Sequence, residues 1–201
     1  MKLLTLAPLA ALAALALATA LPASAAIQVF TTTLSGAAEA PTNSSAGTGT
    51  ATVTVNDVTF SMRVQATFSG LTGFTSAAHI HCCTAAAGTG TAGVATQTPS
   101  FTGFPLLVTG GSFDNTFDMT LNASWNPAFI TANGGNTSTA FTTFLSGLNT
   151  GRTYFNVHTS AFPAGEIRGF LVSAVPEPET YALMLVGLLG VGWAARKRRA
   201  A

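Results

Sequence analysis

The sequence has few charged side chains and very few cysteines. Charged residues make up 7% of the 201-residue chain, which has only two cysteines and three histidines. Lysine occurs only at Lys2 and Lys197, so the segment between residues 27 and 175 has none. Three arginines and five acids give that segment a net charge of −2. Because nucleic-acid binding needs a basic patch to neutralise phosphates, no nucleic-acid partner is predicted.

The N-terminus combines a short basic start, an apolar run and a group of small residues. Lys2 precedes the apolar run over residues 3–21, and the small-residue group ends in Ala25 and Ala26. This order predicts a secretory signal peptide over residues 1–26, with a helical apolar part and cleavage directly after Ala25 or directly after Ala26. The alternative is an uncleaved membrane anchor, since the apolar run approaches the length that spans a bilayer.

The C-terminus, residues 175–201, carries a second targeting pattern. A Pro-Glu-Pro stretch leads into an apolar segment over residues 181–195, and a basic cluster closes the chain. The apolar segment predicts a transmembrane helix of marginal length, about 22 Å against a bilayer core of about 30 Å. The basic tail is expected to stay on the cytoplasmic side. The residues that define the pattern are Pro176, Glu177, Pro178, Arg196, Arg198 and Arg199.

These three features, in this order at the C-terminus, resemble the PEP-CTERM sorting signal. The resemblance implies a protein that is exported through the inner membrane and held there until an exosortase-type enzyme processes it. It also implies a Gram-negative host that produces exopolysaccharide, and a final place at the cell surface or in the extracellular matrix. Exopolysaccharide or another matrix component is therefore a predicted partner.

Residues 27–174 have the length of one domain and are rich in Thr, Ser, Gly, Ala and Phe. Residues 49–56 alternate between apolar and polar, and residues 58–68 return as the second strand of a hairpin. Apolar residues at helical spacing over 140–148 predict one short helix, and residues 125–129 form an aromatic turn or a further short helix. Paired strands predict an all-β fold, either an antiparallel Greek-key sandwich or a flattened barrel.

All three histidines fall in two predicted strands, residues 77–83 and 153–159. Because side chains two apart in a strand share a face, His79 and His81 point the same way, and His158 joins them if the strands are neighbours. Three imidazoles on one outward face are ligands for Cu²⁺ or Zn²⁺. The alternative is that the rings hydrogen-bond to loops and bind no metal. The predicted additional ligands are Cys83, which shares the face of His81, and Glu166.

The spacing of His79 and His81 resembles the copper-binding His-x-His of Cu/Zn superoxide dismutases. That family uses a similar β-sandwich, so the resemblance implies a superoxide-dismutase-like architecture. The further histidines of its catalytic set have no counterpart in this chain. Dismutase activity is therefore not predicted.

The two cysteines are adjacent and reach an oxidising compartment. The sequence favours a disulfide between Cys82 and Cys83, although neighbouring Cα atoms lie about 3.8 Å apart, closer than the usual 4.4–6.8 Å or so of disulfides. Free thiols, a metal thiolate and an intermolecular bridge remain alternatives.

Several short motifs in order resemble the CHRD (chordin-type) domain over residues 27–174. They are Leu34 to Pro41, Gly47 to Ala51, Phe68 to Leu71, Ala78 to His81, Tyr154 to Thr159 and Phe162 to Gly169. The chain departs from the family at Cys82 and Cys83, where many members continue with glycine, and at Ala164, where glycine is usual. Animal members bind extracellular growth factors, and bacterial members have no settled activity. The resemblance therefore implies fold and location, and leaves the chemistry open.

Two functions follow from these features. The first is an exported, surface- or matrix-associated binding protein without catalytic activity, since no catalytic motif is present. The alternative is an exported Cu or Zn protein, redox-active in one form of the hypothesis, that uses His79, His81 and His158. Glu166 and Arg168 are expected to form an ion pair or polar network on the last strand.

Overall fold

The computed structural model describes residues 27–174 and 184–189. The predicted signal peptide, with its cleavage residues Ala25 and Ala26, lies outside the described residues. So do the sorting residues Pro176, Glu177, Pro178, Arg196, Arg198 and Arg199. Residues 184–189 are helical, and the rest of the predicted helix over 181–195 also lies outside. Within the described parts of the chain, no helix is both long and apolar enough to cross a membrane.

Eight strands and two α-helices build residues 27–174. They are β1 (Ile27–Ser35), β2 (Thr48–Asn56), β3 (Ser61–Ser69), β4 (Thr75–Cys82), β5 (Gly111–Asp118), α1 (Pro127–Ala132), α2 (Thr137–Asn149), β6 (Thr153–Thr159), β7 (Ile167–Phe170) and β8 (Val172–Ser173).

The strands form one antiparallel sheet that curls into a half-barrel. Its order is β4-β6-β7-β1-β2-β3-β5, and β8 also pairs with β1. The predicted all-β antiparallel class is confirmed, and the single curled sheet corresponds to the flattened-barrel form of that prediction. Strand β1 lies in the middle of the sheet, between β2 and β7.

Alternation along the strands divides the sheet into a core face and an outer face. On the core face, Phe30, Val53 and Val64 are opposite one another in register and fully buried. This is the pattern expected where β-branched and aromatic side chains pack across strands. The prediction of a hairpin with one apolar face is confirmed by the pairing of β2 with β3.

The outer face of β1, β2, β3 and β5 carries mostly hydroxyl groups. We call it the outer hydroxyl face, and it comprises Thr31, Thr33, Thr50, Thr52, Arg63, Gln65, Thr67, Ser112 and Asp114. One cross-strand row of hydroxyl groups consists of Thr33, Thr50, Thr67 and Ser112. The guanidinium of Arg63 donates to both carboxylate oxygens of Asp114, so the two charges of this face neutralise each other.

The two helices lie between β5 and β6 in the sequence, and each begins at an asparagine cap. The side chain of Asn136 accepts from the amide of Thr139, and that of Asn126 accepts from the amide of Ala128. In α2 the buried side chains are Ala140, Phe141, Phe144 and Leu148, as the helical stripe predicts. Helix α1 shows that the aromatic stretch at 125–129 leads into a second short helix.

Candidate functional site

The pairing of β4 with β6 brings the three histidines together. The cross-strand pairs are Ala77 with His158, His79 with Asn156 and His81 with Tyr154. The ring centroid of His79 lies 4.8 Å from that of His81 and 4.6 Å from that of His158. One ring nitrogen from each histidine lies within 4.8 Å of the others. We call these three side chains the histidine cluster.

The face that holds the histidine cluster is covered by loops and does not face solvent as the alternation alone suggests. His79 is 7% exposed and His81 is 9% exposed, while His158 is half-buried. Arg168 holds the covering loops, because its guanidinium donates to the carbonyls of Ala38 at 2.5 Å and Gly90 at 3.0 Å. The cluster is therefore a largely buried site.

Backbone carbonyls orient two of the three rings. Nδ1 of His81 lies 2.8 Å from the carbonyl of Ala92, and Nδ1 of His158 lies 3.0 Å from the carbonyl of Pro163. A carbonyl only accepts, so each Nδ1 carries the proton and each Nε2 keeps its lone pair. Nε2 of His81 is buried and has no hydrogen-bond partner among the described residues. This is the arrangement by which proteins orient metal-binding imidazoles.

His79 makes a direct contact with His158. Their Nε2 atoms lie 2.8 Å apart, so in the metal-free form the Nε2 proton of His79 is donated to the lone pair of His158. Nδ1 of His79 is then left buried without a partner among the described residues. The carbonyl of Pro99 is close enough to favour a positive charge on His79, but it does not reach hydrogen-bonding geometry.

Burial keeps the cluster uncharged at neutral pH. It lowers the pKa of His79 to about 3, with further lowering by His158 and His81. Burial also lowers the pKa of His81 to about 4, against the opposing hydrogen bond to Ala92, and lowers the pKa of His158. Since a metal ion binds the neutral imidazole, protons do not compete for these nitrogens near pH 7.

A second polar group lies beside the histidine cluster. The ring of Tyr154 stacks on His81 with centroids 4.6 Å apart, and the guanidinium of Arg168 lies 4.7 Å from the Tyr154 centroid. Arg168 Nε lies 3.7 Å from a carboxylate oxygen of Glu39, and both side chains are buried. Burial raises the pKa of Glu39 to about 7, although Arg168 acts in the opposite direction.

Tyr154 and Glu39 are not among the site residues that the sequence predicts. The position of Tyr154 could have been predicted from the sequence, because it lies four residues before His158 and therefore on the same strand face. Glu39 follows a 3₁₀ turn after β1, where no periodicity indicates its partner. The expected ion pair of Glu166 with Arg168 is wrong, because Arg168 pairs with Glu39 instead, whereas Glu166 does lie in a polar network.

Glu166 lies away from the histidine cluster and is fully buried among donors. One carboxylate oxygen accepts from the hydroxyl of Ser45 and the amide of Thr72, and the other from the amide of Gly73 and the hydroxyl of Thr159. Burial raises its pKa, but these four hydrogen bonds outweigh that effect and leave the pKa lowered. The carboxylate is a structural anchor, and the structure does not bring it to the histidines.

The structure joins Cys82 and Cys83 by a disulfide bond. Cys82 is buried in the core, on the side of β4 opposite to His81. Cys83 lies after the end of β4 and packs at the edge of the core. In this bonded form Cys83 offers no thiolate to a metal ion. Neither of the predicted additional ligands, Cys83 and Glu166, therefore lies with the histidine cluster.

The fold and the site define a small antiparallel β-domain with a buried polar face on one strand pair. The chain belongs to the CHRD family, since the family model described as CHRD domain matches residues 30–171. A second model, described as PEP-CTERM protein-sorting motif, matches residues 174–199. The CHRD and PEP-CTERM resemblances seen in the sequence are thereby confirmed. No curated protein and no solved structure matches the chain.

The sorting motif establishes where the protein goes. It marks a protein that is exported via the membrane and processed by exosortase, a membrane enzyme, for cell-surface or extracellular placement. The predicted location is confirmed.

Proposed function

We propose that this exported protein binds one transition-metal ion, Cu²⁺ or Zn²⁺, through His79, His81 and His158. The observation that carries the proposal is the convergence of three uncharged imidazole nitrogens in a largely buried site. Two of the rings are already oriented by carbonyls with Nε2 directed into the cluster. The unpartnered, buried Nε2 of His81 gains a partner when a metal ion binds.

The spacing of the nitrogens is close to what such an ion requires. With metal–nitrogen distances of about 2.0–2.1 Å, tetrahedral ligands lie about 3.3 Å apart. The distances between the ring nitrogens of the cluster range from 2.8 Å to at most 4.8 Å, so small ring movements bring all three nitrogens to that separation. Three protein ligands leave one coordination position for water or a small external ligand, as in sites that carry out reactions. Cys83 and Glu166 are not needed for this arrangement.

Metal analysis of the full-length protein tests this proposal. We expect about one equivalent of Cu or Zn in protein purified from the exporting host and dialysed, and less than a tenth of that in His81→Ala. A saturating ion at a hundredfold excess over its dissociation constant adds about 2.7 kcal/mol to the free energy of unfolding. That added stability should be absent from the variant.

A matched control separates ligand loss from unfolding. Tyr154→Phe retains the ring that stacks on His81, so it should keep full metal content. If wild-type protein holds no stoichiometric metal after incubation with either ion, the proposal is wrong. It is also wrong if His81→Ala is folded by circular dichroism and retains the metal.

As a second function we infer that the protein associates with the surface matrix through its outer hydroxyl face, without catalysing a reaction. The face presents rows of hydroxyls with no net charge, which suits a neutral polysaccharide better than a charged partner. Two depressions of about 390 and 580 Å³ adjoin there and share Thr50 and Thr67. Both volumes lie in the range of small-molecule sites.

Co-sedimentation with the host's insoluble exopolysaccharide tests the second function. The double variant Thr50→Val and Thr67→Val keeps β-branched shape and removes two hydroxyls that lie 2.9 Å apart. We expect the bound fraction to fall at least fivefold. Thr142→Val, on the exposed side of α2, should bind as wild type does. Equal binding by the double variant would contradict a role for this face.

A further inference from the structure

The Cys82–Cys83 bridge forms part of the wall of a cavity at one end of the sheet. The cavity has a volume of about 370 Å³ and opens to solvent between the end of β4 and the helices. Its other walls come from Val94, Phe129 and Thr143, among others. Cys83 is half-buried, whereas Cys82 is only 5% exposed. A molecule that enters the cavity therefore meets the sulfur of Cys83 first.

Each sulfur lies beside a polar group that would interact more strongly with a thiol or a thiolate than with a disulfide. The hydroxyl of Thr153, a fully buried residue, donates to Sγ of Cys82 at 3.3 Å. On the other sulfur, Sγ of Cys83 lies 3.7 Å from the carbonyl of Thr143. A disulfide sulfur has no hydrogen to donate to a carbonyl, whereas a thiol has one, and a thiolate is a far better acceptor for a hydroxyl. The surroundings thus provide partners for the reduced form of both cysteines.

Helix α2 packs closely against the cysteine pair at Gly147. A Cβ atom at this position would lie 2.5 Å from both sulfurs. Glycine in a helix interior costs about 1 kcal/mol relative to alanine. Helix α2 is therefore less stable with glycine than with alanine at this position, but glycine leaves room for the two sulfurs. The helix backbone thus closes one side of the bridge, and the cavity lines another side.

We propose that the Cys82–Cys83 bridge is a thiol–disulfide exchange site for a low-molecular-weight thiol that enters this cavity. The incoming thiolate attacks Sγ of Cys83, forms a bond to it and breaks the bond between the two cysteine sulfurs. The electron pair of the broken bond leaves on Sγ of Cys82, which becomes a thiolate that the hydroxyl of Thr153 stabilises. The product is a mixed disulfide at Cys83.

A second molecule of the same thiol completes the exchange. It attacks the external sulfur of the mixed disulfide and releases Cys83 as a thiolate, which gains a proton from water and can donate to the carbonyl of Thr143. Two thiols are oxidised to one small disulfide, and the Cys82–Cys83 pair is reduced by two electrons. The reverse sequence restores the bridge. This reaction is independent of metal binding by the histidine cluster, whose rings lie on the other face of β4.

Single-cysteine variants of the full-length protein identify the reacting sulfur. Cys82→Ser leaves Cys83 at the cavity, and Cys83→Ser leaves Cys82 in the core. With oxidised glutathione as probe, mass spectrometry should show the glutathione adduct of Cys82→Ser forming at least tenfold faster than that of Cys83→Ser. Equal rates, or a faster adduct at Cys82, would contradict attack at Cys83.

The wild-type bridge and its Thr153 variants test the exchange itself. Acid-quenched reactions with reduced glutathione should show a mixed disulfide at Cys83 in folded protein. Loss of one hydrogen bond to the leaving sulfur corresponds to a rate about fivefold lower in Thr153→Val, with Thr153→Ser near wild type. If reduction proceeds only at the rate of global unfolding, or if Thr153→Val reacts at the wild-type rate, the bridge has no exchange role.

Discussion

Replacing Gly169 with alanine is expected to lower the free energy of unfolding by about 3 kcal/mol or more. Gly169 lies in β7, where an added Cβ would overlap the carbonyl oxygen of Thr33 and the hydroxyl of Thr32 in β1. One of the two overlapping groups is backbone, so the strands themselves must separate. Overpacking of this kind usually costs about 1–3 kcal/mol and more where the backbone has to shift. Urea unfolding followed by circular dichroism measures the change.

Gly93→Ala is the matched control for Gly169→Ala. No atom lies within 4 Å of a Cβ at Gly93, and its φ lies outside the left-handed region. The change should therefore alter stability by less than about 1 kcal/mol, in the stabilising direction if the unfolded chain loses freedom. Equal effects of the two substitutions would contradict the role assigned to the β7–β1 contact.

Replacing Glu166 with glutamine is expected to destabilise the domain by about 3 kcal/mol or more. The carboxylate accepts four hydrogen bonds in a fully buried position. In the variant the side-chain NH₂ group faces the backbone amide of Thr72 in one orientation and that of Gly73 in the other, so two donors meet and a buried donor is left unpaired in either case. Hydrogen bonds to charged groups contribute about 1.5–3 kcal/mol each, and an unpaired buried group costs about 1–3 kcal/mol.

Asp118→Asn provides the comparison for Glu166→Gln. Asp118 is exposed and accepts two hydrogen bonds from Thr120, one from its amide and one from its hydroxyl. Water can replace the hydrogen bonds that the variant loses, so the free energy of unfolding should change by no more than about 0.5 kcal/mol. Denaturant unfolding of both variants at pH 7 decides the question. If Glu166→Gln is as mild as Asp118→Asn, the four-donor carboxylate is not an anchor.

The grouping of the histidines could be predicted because strand periodicity is regular where residues 77–82 of β4 pair with β6, beyond the register shift between Thr75 and Ala77. His79, His81 and His158 share a face for the same reason that Ile80, Phe155 and Val157 share the core. Their burial could not be predicted. It depends on Arg168 holding the loops at Ala38 and Gly90, and contacts between loops follow no periodic rule.

The wrong prediction of an ion pair between Glu166 and Arg168 has a related explanation. Alternation predicts that Glu166 and Arg168 share one strand face, which requires both residues to lie within a regular strand. β7 begins only at Ile167, after Gly165 with a φ of 133°, so alternation does not extend to Glu166. Glu39 replaces it as the partner of Arg168 across a sequence separation that no local pattern records. Alternation likewise ends at Cys82, so it could not place Cys83.

The central position of β1 has a consequence for the order in which the exported chain reaches its final form. Its two neighbours are β2, which follows it directly, and β7, which belongs to the last part of the domain. Pairing of β1 with β7 thus waits until residues 167–170, near the C-terminal end of the domain, are available. The sorting motif begins at residue 174, so these residues lie shortly before it in the sequence. Sheet closure therefore requires long-range pairing, which is intrinsically slow, between the first strand and the segment next to the sorting motif.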